Sequence, residues 1–178
     1  MKLRIGALVL IFSLIISLSG CQNDVNYNRQ DGNKDLKTKF ITSVTSDPRT
    51  SAKMTKLSEY AYDIDSDSKE ESIELYTAAQ RNAKGEMLWD DGQKWLLVVV
   101  DENNFYPLYS DYLQLGQLYF SVDTSGEKNL PAIRMIMTTG TGLKLTEYSF
   151  DKEKAKFKMT IPYDAGALNV FFSSIPNY

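Results

Sequence analysis

Trp95-Leu96-Leu97-Val98-Val99-Val100 is an unbroken apolar run held between Lys94 and Asp101. Its length and its β-branched residues give a central strand buried on both faces. The chain on either side reads as further strands. Asp101-Glu102-Asn103-Asn104 is a turn, and Phe105 to Tyr109 returns antiparallel. Upstream, Ile73 and Leu75 alternate with Ser72, Glu74 and Tyr76. Downstream, Leu118, Phe120 and Val122 alternate, and the polar loop Asp123 to Asn129 leads to Ile133, Met135 and Met137. Leu143 and Leu145 begin a strand whose apolar set then shifts to Tyr148 and Phe150, the mark of a bulge. Lys152 to Lys156 is a charged turn before the alternation of Phe157, Met159 and Ile161. This spacing predicts an α+β or mostly β domain over residues 40–178, built on an antiparallel sheet. The helical part is a short N-terminal helix, with Asp47 as cap, Pro48 in its first turn, and Met54, Leu57 and Ala61 at helical spacing. Phe40 to Val44 precedes it as a short strand.

Composition removes whole classes of chemistry. The 178 residues hold 20 Lys+Arg, 23 Asp+Glu, no His and one Cys. Without His there is no imidazole base, no Ser-His-Asp triad and no Cys-His pair. A zinc site of His and Cys cannot be assembled. A net charge of -3 argues against sequence-independent binding of nucleic acid, which needs surplus cations. One Cys cannot form an intrachain disulfide.

The first 21 residues carry an address. Lys2 and Arg4 open the chain, and Ile5 to Leu18 is then almost wholly apolar. That run is too short to cross a bilayer comfortably, since about 20 residues are needed, and it has the layout of a secretory signal. It ends Leu18-Ser19-Gly20-Cys21, which resembles the lipobox of bacterial lipoproteins. The resemblance implies cleavage after Gly20, a diacylglycerol on the Cys21 thiol, and anchoring to the outer face of the cell membrane. Two or three acyl chains hold firmly where one gives marginal binding. Residues 1–20 are then a signal peptide, and residues 21–39 the lipidated Cys and a linker. Gln22 to Lys39 is rich in Asn, Asp and Lys, with only Val25, Tyr27 and Leu36 to offer a core. Such a segment cannot offset its ordering entropy and reads as a disordered tether.

The strongest chemical motif is Asp63-Ile64-Asp65-Ser66-Asp67-Ser68-Lys69-Glu70-Glu71. Acids stand at its first, third, fifth and ninth places. Carboxylates so spaced can wrap one ion, because Ca²⁺ takes six to eight oxygens at about 2.3–2.6 Å. Lys69, at the seventh place, offers its backbone carbonyl. Glu74 is a poor ligand, since alternation turns it away from Ile73 and Leu75. The segment resembles the Asp-rich calcium loops of FG-GAP and VCBS-type repeats, in which the loop precedes a strand; here that strand is Ser72 to Ala78. The resemblance implies calcium ligands at Asp63, Asp65, Asp67, Lys69 and Glu71. Those families favour Gly where this chain has Ser66 and Ser68, and a Cβ at the sharp turn costs about 1 kcal/mol. Affinity is therefore expected in the range of extracellular modules, about 10⁻⁴–10⁻³ M.

Other motifs read as structure. Thr138-Thr139-Gly140-Thr141-Gly142 precedes a strand and not a helix, so it is a tight turn and not a phosphate cradle. Trp89-Asp90-Asp91-Gly92 places two acids beside an aromatic, but neighbours in sequence point apart, and Asp91-Gly92 is expected as a hairpin turn. Of the 11 Tyr, 8 Phe and 2 Trp, most belong in strand interiors, and exposed ones would offer a platform for sugar or peptide. The function expected is a lipid-anchored, extracytoplasmic binding or interaction module, calcium-stabilised, with a protein or glycan partner. It has neither His nor free Cys for catalysis. The alternative is a hydrolase acting on cell-wall polymers through carboxylates or a Ser-Lys pair.

Overall fold

The computed structural model describes residues 38–50, 53–124, 130–140 and 142–165. All of them belong to one compact unit, Lys34–Tyr178. The signal peptide, Cys21, the tether up to residue 37 and part of the loop expected at Asp123 to Asn129 lie outside the described residues. The strands are β1 (Lys39–Ile41), β2 (Thr55–Tyr62), β3 (Glu71–Thr77), β4 (Gln80–Arg81), β5 (Met87–Leu88), β6 (Gly92–Asp101), β7 (Asn104–Gln114), β8 (Gly116–Asp123), β9 (Ala132–Thr139), β10 (Gly142–Asp151) and β11 (Lys156–Asp164). They form a five-stranded sheet in the order β1-β11-β10-β9-β8, a four-stranded sheet in the order β2-β3-β6-β7, and the small hairpin β4-β5. Every pairing between them is antiparallel. The domain is mostly antiparallel β.

The apolar run of β6 is covered on both faces, by two different structures. Trp95, Leu97 and Val99 point into the main core, where they meet Ile73 and Leu75 of their own sheet and Leu118, Ile133, Met135, Tyr148 and Phe157 of the other. Leu96 and Val98 point the opposite way and form a second cluster with Tyr76 and Phe105. Met54 packs on that cluster, and the chain at Val44 bridges to Phe105 through paired backbone hydrogen bonds of 2.8 and 2.9 Å. The N-terminal segment is thus a cover for the outer face of the four-stranded sheet.

The short N-terminal helix is not there. Asp47 does cap, accepting the backbone N–H of Arg49 at 2.9 Å, but the cap opens only a single 3-10 turn, Pro48–Thr50. Residues 55–62 are β2, paired with β3 from Thr55↔Thr77 to Tyr62↔Glu71 with a bulge between Lys56 and Ser58. In a helix Met54, Leu57 and Ala61 would share a face. Here Met54 meets the outer cluster, Leu57 the main core, and Ala61 is exposed. The exposed ladder of β3 demands a partner, and its hydrogen bonds outweigh the weak helix preference of a Thr- and Ser-containing segment.

Two local readings are corrected. The bulge expected in β10 falls on its neighbour: β10 pairs with β9 unbroken from Gly142 to Ser149, and the register shift between Leu145 and Glu147 puts the extra residue in β11. The hairpin expected at Asp91-Gly92 does not form there: Gly92 opens β6, and the hairpin β4-β5 turns at residues 82–86, where the Asn82 side-chain oxygen accepts the N–H groups of Lys84 and Glu86. Thr139 and Gly142 close a tight β9-β10 turn, as the sequence predicts. Asp101 and Asn104 close the β6-β7 turn, with Glu102 at a positive φ of 49°.

Candidate metal centre

The acidic loop joins β2 to β3, two strands fixed by the ladder described above. Its geometry comes from backbone donors seeking carboxylates. Asp63 accepts the N–H of Asp67 at 2.9 Å with one oxygen and that of Ser68 at 3.0 Å with the other. Asp65 accepts Asp67 N–H at 2.9 Å, and Asp67 accepts Lys69 N–H at 2.8 Å. Glu71 reaches back to the N–H of Ile64 at 2.8 Å. These bonds coil the loop so that one carboxylate oxygen from each of Asp63, Asp65, Asp67 and Glu71 lies within 4.8 Å of the others. The coil needs left-handed backbone at Ser66 (φ 57°) and Ser68 (φ 76°), the two places where glycine would be unstrained.

The charges are unfavourably placed for an empty loop. Burial raises the Glu71 carboxyl above its ordinary 4.5, with Asp65 and Asp101 adding to the rise. Asp65 is raised by burial first and by the charge of Asp67 second. The ammonium of Lys69 is turned to Glu102 at 2.6 Å, and Lys152 donates to the Ser66 carbonyl at 3.1 Å. Four converging carboxylates, two of them disfavoured as anions, suit a hard divalent cation.

The structure therefore gathers Asp63, Asp65, Asp67 and Glu71, as the spacing required. Glu74 lies elsewhere, on the outer face of β3. There it accepts Arg49 at 2.9 Å and the Tyr76 hydroxyl at 2.6 Å, with its side chain 6% exposed. Arg49 also sits 5.2 Å over the Phe105 ring and is bonded to Asp47. Sequence reading missed this network. Its one signal was a Glu on the covered face of a strand.

The aromatics divide as their strands dictate. Trp95, Tyr148 and Phe157 are buried, and Tyr106, Phe150 and Phe157 pack edge to face at 5.1–5.8 Å. Tyr60, Tyr112 and Tyr163 are exposed, on β2, β7 and β11 respectively. Two of the cavities that open on the described residues bear on function. One of about 560 Å³ lies beside the acidic loop, walled by Ile64, Ser66, Phe150 and the β10-β11 turn. The other, about 520 Å³, lies between β7 and the five-stranded sheet. No family model, curated protein or solved structure matches the chain.

Proposed function

We propose that the protein is a lipid-anchored extracytoplasmic binding module whose β2-β3 loop is set by one Ca²⁺. The anchor is a diacylglycerol on Cys21, and the ligands are the carboxylates of Asp63, Asp65, Asp67 and Glu71 with the Lys69 carbonyl. The observation that carries the metal half of the reading is the convergence of four carboxylate oxygens within 4.8 Å. At that separation like charges repel, and a divalent ion turns the repulsion into attraction. Ca²⁺ is preferred to Mg²⁺, which demands near-ideal octahedral geometry and keeps its waters. The strain at Ser66 and Ser68 puts the affinity in the weak range suited to extracellular calcium. The anchor rests on Leu18-Ser19-Gly20-Cys21 behind an apolar run.

Calorimetric titration with CaCl₂ tests the metal. One site is expected per chain, lost in Asp65→Ala. A heat of dilution alone would remove the metal from the account. Metabolic labelling with a fatty acid tests the anchor: the wild type takes up label and Cys21→Ser does not. An unlabelled wild type would remove the anchor and leave the metal reading standing.

A further inference from the structure

The cross-strand register puts two lysines on the wrong side of the five-stranded sheet. Directly opposed residues of an antiparallel pair share a face. Lys39 opposes Met159, Met159 opposes Tyr148, and Tyr148 opposes Ile133. Tyr148 and Ile133 are core residues, 1% and 0% exposed, so this row is the inward face, and it runs out to Lys39, itself exposed on the edge strand. Likewise Lys144 opposes Met137, which opposes the fully buried Leu118. Both lysines line the cavity of about 520 Å³ between this sheet and β7. Its apolar wall includes Met137, Met159 and Leu108.

Lysine on the inward side of an edge strand can serve to block edge pairing. That accounts for Lys39 on β1. It does not account for Lys144, because β10 is the middle strand of its sheet. Lys144 is already in a loose ion pair with Asp164, at 3.7 Å. Asp111, also in the lining, gives an oxygen to the N–H of Tyr112. A third polar group faces the same space. The Tyr148 hydroxyl donates to the sulfur of Met135 at 3.8 Å, a weak acceptor for a group so deeply buried.

We propose that this cleft binds a small single-chain amphiphile with an anionic head, of the fatty-acid class. The chain lies along the methionines, whose flexible side chains adapt to it. The head is held by Lys39 and Lys144. The cavity is of the size of small-molecule sites, about 300–1,000 Å³.

The test uses the chain from residue 21 onward with Cys21→Ser, which contains the whole compact unit and carries no acyl group. The probes are fluorescent cis-parinaric acid and its methyl ester. The acid should bind saturably, one per chain. Lys39→Gln with Lys144→Gln should weaken the acid about tenfold or more and leave the ester within about twofold. Met159→Trp, which fills the cleft, should abolish binding of both, and Met137→Trp serves if that variant misfolds. Lys94→Gln, on the opposite sheet's outer face, should change nothing. Three results would overturn the proposal. One is the absence of saturable binding. Another is binding indifferent to both the lysine and the cleft-filling substitutions. The third is binding that appears only after residues 166–178 are deleted or a dimer is dissociated, which would make the occupant this chain's own segment or a second copy.

Discussion

Ser68 holds φ at 76° with a Cβ attached, within the acidic loop. Left-handed backbone costs a non-glycine residue about 1–2 kcal/mol. Ser68→Gly should relieve most of that, and calorimetry should show calcium binding about fivefold tighter. Glu71 makes the opposite contribution in the empty loop. Burial raises its carboxyl above 4.5, and Asp65 is raised above 3.8. An acid with a raised folded-state value stabilises the fold while protonated. In EDTA, this stability is fully present below the ordinary values and is lost as pH rises through the raised ones. Urea midpoints in EDTA should therefore fall across that window, and in calcium, which favours the anions, the fall should disappear. Arg49 is the third residue of consequence. Breaking a fully buried pair costs about 3–5 kcal/mol, but Arg49 is 29% exposed and Glu74 would keep Lys56 at 3.8 Å and the Ser72 and Tyr76 hydroxyls, so Arg49→Ala should cost about 1–2 kcal/mol. The double variant Arg49→Met with Glu74→Leu should recover most of it in urea unfolding.

At the scale of elements, strands with clean alternation were legible and the first element was not. Ile73, Leu75, Phe157 and Met159 repeat every second residue and face one core. The change of apolar face between Leu145 and Tyr148 marked no bulge in β10, whose pairing runs unbroken against β9; the extra residue lies in β11. Residues 54–61 misled because Met54, Leu57 and Ala61 stand three and four apart by coincidence: they face the outer cluster, the main core and solvent. The hairpin at residues 82–86 was hidden for a different reason: its strands span two residues each, too few for any period. One corner could not be foreseen at all. Leu115, at φ 48°, passes the chain from β7 of one sheet to β8 of the other, and Gly116 comes next. A Cβ on Gly116 would run into the Thr138 carbonyl oxygen, which is backbone and cannot move aside. Gly116→Ala should cost about 1–3 kcal/mol, read as a lower urea midpoint with unchanged slope.

For the whole molecule, one sequence run set the layering. A strand apolar on both faces requires two covers, and this chain supplies a second sheet on one side and the chain at Val44 and Met54 on the other. The carboxylate cluster was legible because all its members lie within nine residues of one loop. The cleft with Lys39 and Lys144 was not, because those residues are brought to one face only by the pairing of β1, β11, β10 and β9.

The claim on which the functional account turns is that calcium holds the β2-β3 loop in place. Thermal unfolding of the chain from residue 21 onward, in millimolar CaCl₂ and in EDTA, measures it directly. At a free ion concentration ten times the dissociation constant, binding adds about 1.4 kcal/mol, or a rise of about 3–5 °C in Tm for a chain of this size. The wild type should show that rise and Asp65→Ala should show none. Equal midpoints for the wild type in the two buffers would contradict the account and leave the loop a solvated acidic turn.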